Sequence, residues 1–178
     1  MTKNNILIAF LFSFILVSNA SADYNDGDIS YNAGNYEGAL NEWTEAAEDG
    51  DARSQHNVGW MHANGKGTAQ DFQEAVAWYT KSAKQGHVNS QYNLGNLHLR
   101  GNGTAQNDNL AFSWFLSAAE QGDAPAQYNL AAMYLNGKGG DKNILEARFW
   151  CKQAMENDDA YIGALAEQLW EENDLGSY

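Results

Sequence analysis

The chain has 178 residues, 10 Lys+Arg against 23 Asp+Glu and a formal charge of −13, with one proline and one cysteine. Such acidity repels a phosphate backbone and argues against nucleic-acid binding and against docking on anionic membranes. It favours neutral or basic partners, and a lone cysteine rules out an internal disulfide.

Residues 1–22 carry Lys3, an apolar run from Ile6 to Val17 and the small-residue sequence Ala20-Ser21-Ala22. This is the pattern of a secretory signal peptide, with cleavage expected before Asp23. The apolar run falls short of the ~20 residues that cross a bilayer. Cleavage removes one lysine and no acid, so the charge moves from −13 to −14, and the mature chain is expected in the periplasm or secreted, off the membrane. Asp23-Tyr24-Asn25-Asp26-Gly27-Asp28 hints at a calcium loop, but Gly34 stands where such a loop needs a bidentate glutamate. A solvated acidic terminus is the better reading.

Residues 23–51 read as a partial copy of a longer repeating unit, with Asn35 to Leu40 leading into Glu42 to Ala47. From Ala52 a 36-residue period governs the chain. Trp78, Trp114 and Trp150 keep it, as do Ala75, Ala111 and Ala147, then Gln55, Gln91 and Gln127, then the glycine pairs Gly65/Gly67, Gly101/Gly103 and Gly137/Gly139. Residues 52–87 laid over 88–123 share 15 identities in 36 positions. A period in this range marks stacked copies of one supersecondary unit. The full copies are three, 52–87, 88–123 and 124–159, and residues 160–178 close the chain as a capping helix and tail.

Each copy reads as two helices. The first runs over Ala52–Ala63, Val88–Leu99 and Ala124–Leu135, and the glycine pair stops it because glycine tolerates positive φ. The second begins near Asp71, Asn107 and Asn143, which suit exposed amide groups at a helix start. It carries the alanines and the tryptophan, expected to fill the space between copies. Ala154 stands one place out of register with Ala83 and Ala119. Tyr161 to Trp170 reads as a closing lid over the last apolar edge. Cys151 occupies the column of Tyr79 and Phe115, which points to a buried structural thiol over an intermolecular disulfide.

These residues, above all Ser90-Gln91-Tyr92-Asn93-Leu94-Gly95 and Gly67-Thr68-Ala69-Gln70-Asp71 followed by Ala75, Trp78-Tyr79, Ala83 and Gln85-Gly86, resemble Sel1-like repeats, relatives of the tetratricopeptide repeat. The resemblance covers about residues 31–159. It implies an all-α, right-handed solenoid of antiparallel helix pairs whose inner surface binds proteins or peptides. Exported bacterial members are similar in layout and look like adaptors or regulators of envelope proteins, some acting in contact with host cells. By the same similarity, His56, Asn57 and Trp60, then Tyr92, Asn93 and Asn96, then Tyr128 and Asn129 face the groove as partner-binding residues. The asparagine column 57, 93 and 129 has two readings, a peptide contact or a bond between copies. This chain departs from the pattern at Ala131, where Gly59 and Gly95 stand earlier, and at Gly140, where Thr68 and Thr104 stand.

No catalytic, cofactor or metal residue emerges. Gly65-Lys66-Gly67-Thr68 lacks the preceding glycine and strand of a phosphate loop, Trp60 standing in the glycine's place. His62 and His98 align with Tyr134 and read as packing positions, while zinc needs three or four converging ligands. The leading expectation is a non-enzymatic binding module. The alternatives are a hydrolase of cell-wall or β-lactam substrates, for which no nucleophile–base pair is visible, and a structural subunit of an envelope assembly. Relatives proposed to act on β-lactams carry cysteine pairs in each repeat, which this chain lacks.

Overall fold

The computed structural model describes residues 24–177; the apolar leader lies outside them. Nine α-helices and no strand are found among the described residues. They are α1 (Tyr24–Asn32), α2 (Tyr36–Glu48), α3 (Ala52–Asn64), α4 (Phe72–Lys84), α5 (Val88–Arg100), α6 (Asp108–Ala119), α7 (Ala124–Asn136), α8 (Ile144–Met155) and α9 (Ala160–Glu172), with a 3₁₀ turn, Leu175–Ser177, at the end. None is long and apolar enough to cross a membrane. Each helix packs on the next in the chain, most extensively within the pairs α3/α4, α5/α6 and α7/α8. The chain is an α-solenoid of stacked helix pairs.

Local chemistry sets the boundaries. Asp51, Asp71, Asn107, Asp123, Asn143 and Asp159 each accept backbone N–H bonds from the first turn of the helix they precede, satisfying donors that a helix start leaves orphaned. His87 takes this place before α5 and makes no such bond. At the other end Gly65, Gly101 and Gly137 adopt left-handed geometry and return their N–H to Met61, Leu97 and Met133. The second glycine of each pair has another task. A Cβ on Gly67 would collide with the Tyr36 carbonyl, on Gly103 with Phe72, and on Gly139 with Asp108. Each loop therefore lies directly on the start of the second helix of the copy before, and only glycine permits that approach.

Packing between copies repeats as faithfully. Ala39, Ala75, Ala111 and Ala147 are all fully buried, which lets neighbouring helices approach closely. Trp78 shares one buried cluster with Ala39, Trp43 and Ala47 of α2, the second helix of the copy before, and Trp114 packs against the cluster that holds Ala75, Tyr79 and Ala83 of α4. The tryptophans thus lie at matching sites between copies, yet they are not the deepest side chains. That depth belongs to the next column, Trp43, Tyr79, Phe115 and Cys151, all buried, whereas Trp114 is only half-buried. Ala154 is fully buried in the column of Ala46, Ser82 and Ala118, so the apparent slip is a change of register partner, not a distortion.

Three glutamines bind the stack by side chain. Gln55, Gln91 and Gln127 donate Nε2 to the carbonyls of Ala47, Ala83 and Ala119 at 2.9, 3.2 and 3.3 Å. Each buried amide thereby satisfies a carbonyl at the end of the preceding helix.

Both ends are closed. The acidic N-terminal segment is not a loose terminus: it forms α1, Gly27 lies against the Trp43 indole, and Trp43 Nε1 donates to the Tyr24 carbonyl at 3.2 Å. A flat glycine surface is what admits the indole, a signal that acidity masked in the sequence. At the far end α9 packs over α7 and α8, burying Ala166. Cys151 Sγ donates to the Ala166 carbonyl at 3.1 Å, and burial pushes the thiol up to about 11. The thiol is therefore structural and unreactive.

Candidate functional site

All eight nominated residues lie on the first helices α3, α5 and α7, and all eight are half-buried. Trp60, Asn93 and Asn96 come together in one cleft of about 430 Å³, which also takes in Ala63, Phe72, Leu97, Arg100 and Asn102. Asn129 lines a second cleft of about 260 Å³ with Leu99, Ala132, Met133, Asn136 and Lys138. The two are one structure repeated. Adding 36 to Ala63, Asn93, Asn96, Leu97, Arg100 and Asn102 gives the six residues of the second cleft. The groove advances with the solenoid, one compartment at each of the two junctions between full copies.

Several amides in the groove are held by their own helices. Asn64, Asn96 and Asn136 donate to the carbonyls of Trp60, Tyr92 and Ala132, four residues back, at 2.8, 3.3 and 2.7 Å. Their carbonyl oxygens are thus oriented, and each amide retains further hydrogen-bonding capacity. Asn93 and Tyr79, which belongs to the preceding copy, line the first cleft together. That asparagine stands where two copies meet and lines the cleft between them. Trp60 likewise packs against two core clusters and meets Tyr31 edge-on at 6.1 Å, while its remaining surface lines the cleft.

Arg100, Asn102 and Lys138 were not anticipated. They sit at the helix end and in the glycine turn, a segment that reads only as a connector. The signal is present in the period: the columns 64, 100, 136 and 66, 102, 138 hold polar or cationic residues in every copy.

The column of His56, Tyr92 and Tyr128 serves packing. His56 lies 5.4 Å from the Tyr79 ring and Tyr92 5.9 Å from Phe115, and Tyr128 packs on the core of the third copy. The structure places Asn57 on α3 outside both clefts.

His56 also belongs to a polar cluster between the first two full copies. Its Nδ1 lies 2.9 Å from Ser90 Oγ, the Nδ1 of His87 lies 3.0 Å from the same oxygen, and the imidazole rings are 4.7 Å apart. Ser90 Oγ donates to Ser82 Oγ at 2.7 Å, which donates to the Ala52 carbonyl at 2.6 Å. The serine proton is therefore committed, and the network assigns both imidazoles as Nδ1–H donors into the Ser90 oxygen. A serine beside a histidine suggests nucleophilic catalysis, but here no imidazole lone pair faces the hydroxyl and Ser90 is fully buried. The arrangement lacks the geometry of an activated nucleophile. Burial, then the charge of His87, pushes His56 down to about 4; burial also lowers His87.

His62 and His98 bury Nδ1 without a hydrogen-bond partner, as a packing position does. Among the described residues no group of three or more His, Cys, Asp or Glu side chains is placed to hold a metal.

Comparison with protein-family profiles matches the Sel1 repeat at residues 52–87, 88–123 and 124–159. Among curated proteins, none matches the chain. Solved structures do. A Sel1 repeat protein from Oxalobacter formigenes superposes with a TM-score of 0.76 at 29% identity, over 87% of this chain and 61% of that one. The protein c5321, a protective antigen present in uropathogenic Escherichia coli strains and displaying an SLR fold, gives 0.74 at 30% identity, over 80% of this chain and 32% of its own. This chain thus spans less than two thirds of either relative.

Proposed function

Since the chain belongs to the Sel1 repeat family, we propose that it is an exported, non-enzymatic binding module that holds a protein or peptide along its segmented groove, as an adaptor or regulator of an envelope or extracellular partner. One observation carries the reading: the cleft at Trp60, Asn93 and Asn96 recurs one copy further along at Asn129 with its lining in register. A segmented groove of this kind matches an extended chain, which presents the same backbone groups at regular intervals. The amides and Arg100 offer donors for peptide carbonyls, and the Trp60 indole offers an apolar anchor of the type enriched at binding hot spots. The acidity of the whole surface favours a partner that is neutral or basic overall. The apolar leader ending at Ala20-Ser21-Ala22 supports export, and amino-terminal sequencing of the mature protein is expected to begin at Asp23.

The direct test is a photo-crosslinking side chain placed in the native host at Asn96, at Ala132 or at Ala77. The first two line the clefts; Ala77 is exposed on α4 away from both. The same captured protein at Asn96 and Ala132, and none at Ala77, is the expected result. Capture at all three positions alike would remove the groove from consideration. Turnover of a cell-wall or β-lactam substrate, abolished by a point substitution in this chain, would establish the hydrolase instead.

A further inference from the structure

The second helix of each copy presents an outward stripe, and one copy differs. The equivalent pairs are Gln73/Ala77 on α4, Asn109/Ser113 on α6 and Leu145/Phe149 on α8. All are exposed, but only on α8 are they large and apolar, with Leu145 70% and Phe149 52% accessible. Residues four apart on a helix are neighbours, so the two form one patch. Folding does not demand it, because α4 and α6 form with small or polar residues in the same places. The patch is also locally basic. Residues 141–152 hold three cations (Lys142, Arg148, Lys152) against two acids (Asp141, Glu146), in a chain of net charge −13. Arg148 is turned toward the Trp170 ring, 5.6 Å away, and Lys152 reaches Glu156 at 3.7 Å. Lys142 and Lys152 are both exposed, ahead of Leu145 and beyond Phe149.

The complement lies at the other end of the same molecule. Residues 24–53 carry eight acids (Asp26, Asp28, Glu37, Glu42, Glu45, Glu48, Asp49, Asp51) against one cation, Arg53, whose guanidinium lies over the Tyr24 ring of α1 at 4.1 Å. Helix α1 exposes Ile29 at 67% beside Asp26 and Asp28. An acidic surface with an apolar residue at one end thus answers a basic surface with an apolar pair near the other.

We propose that the α8 stripe is a docking surface for the α1 end of a second copy of this chain, with Ile29 on Leu145 and Phe149, and Asp26 and Asp28 facing Lys142 and Lys152. Such a contact is heterologous: every bound pair leaves one stripe and one α1 end free, so copies join head to tail in an open row. The apolar contact is small and the charges are exposed, which makes the association weak and sensitive to salt. The stripe lies on α8 and the clefts are lined chiefly by α3, α5 and α7, so a row of copies leaves each groove to its own ligand.

Sedimentation velocity tests this on the protein as the cell produces it. At low salt the weight-average mass is expected to rise roughly two-fold as concentration approaches the millimolar range, and to fall back toward the monomer at about 0.5 M salt, where the Debye length shrinks to a few ångströms. Leu145→Asn with Phe149→Ser installs the residues of α6 and should hold the mass at the monomer value with melting unchanged. Asp26→Lys with Asp28→Lys should do the same, and mixing it with Lys142→Glu/Lys152→Glu should restore heavier species. A monomer under every condition overturns the proposal, as does association indifferent to both sets of substitutions. So does a stripe that captures an acidic partner while the chain stays monomeric.

Discussion

Asn157 donates its side-chain amide to the Gly122 carbonyl at 3.0 Å and stops short of Gln127, whose buried Oε1 has no partner. In the two preceding copies a glutamine holds this column. Gln85 Nε2 bonds both Gly50 O, at 3.0 Å, and Gln55 Oε1, at 2.8 Å, and Gln121 Nε2 reaches Gln91 Oε1 at 2.7 Å. One missing methylene thus leaves the third copy with an unsatisfied acceptor. Asn157→Gln is expected to stabilise the protein by about 1 kcal/mol, the net worth of a buried hydrogen bond, and to raise the melting temperature by roughly 2–4 °C for a chain of this size. Gln121→Asn, made as the converse, should destabilise by a similar amount. Calorimetry of both variants decides the matter, and an unchanged melting point for Asn157→Gln would show that water or local rearrangement already satisfies Gln127.

A compensation runs between Ala131 and Cys151. A Cβ on Gly59 would lie 2.9 Å from the Tyr79 ring, and one on Gly95 would lie 2.7 Å from the Phe115 ring. The third copy has alanine in the glycine column, and the aromatic column there holds the much smaller Cys151; both residues are fully buried. Gly95→Ala should therefore cost on the order of 1–3 kcal/mol through overpacking. Combined with Phe115→Cys, it should cost less than the sum of the single changes by at least about 0.5 kcal/mol, the coupling expected of residues in contact. Strict additivity in urea denaturation would deny that the two columns share space.

Much of the fold was legible because each copy restates its own boundaries. Asp71, Asn107 and Asn143 begin helices and Gly65, Gly101 and Gly137 end them, a residue or so from where spacing put them. The groove was legible only in part. Trp60, Asn93 and Asn96 belong to a helix face that similarity could nominate, whereas Arg100 and Asn102 occupy a turn whose glycines drew the reading toward backbone geometry. Helix α1 was missed because its run Asn25-Asp26-Gly27-Asp28 suggests solvent, and Trp43, which bonds the Tyr24 carbonyl, lies 19 residues from it. The pairing of His56 with His87 was out of reach for a related reason. It depends on a histidine in a capping column that otherwise holds aspartate, and on which two copies meet there.

The tryptophan ladder is the more visible column in the sequence, but the adjoining column carries more of the core. Phe115 is fully buried and Trp114 half-buried. Phe115→Ala is expected to cost ~3–5 kcal/mol, and Trp114→Ala on the order of 1–2 kcal/mol because much less of its surface leaves water. Denaturant titration of the two variants gives the order directly. The reverse order would make the tryptophan column the principal support between copies.

Acid is expected to loosen the junction between the first two full copies. His56 falls from 6.5 to about 4, through burial first and then the charge of His87. His87 is lowered by burial, with Asp51 pulling it up and Arg53 pushing it down. Between those limits the unfolded chain binds a proton at His56 that the folded chain refuses. The stabilisation is therefore complete above about pH 6.5, declines as pH falls, and is exhausted near pH 4. At pH 5 the difference amounts to roughly 2 kcal/mol, at 1.36 kcal/mol per unit. Most carboxylates titrate lower, so the window from pH 7.5 to 5 reports chiefly on histidine. His56→Tyr places at this position the residue found at Tyr92 and Tyr128, a ring the column accommodates. Urea denaturation across that window should show stability falling in the parent protein and a flatter profile in the variant. Parallel profiles would mean that His56 protonates as readily in the folded stack as in the unfolded chain, and that the junction with His87 is not where acid acts.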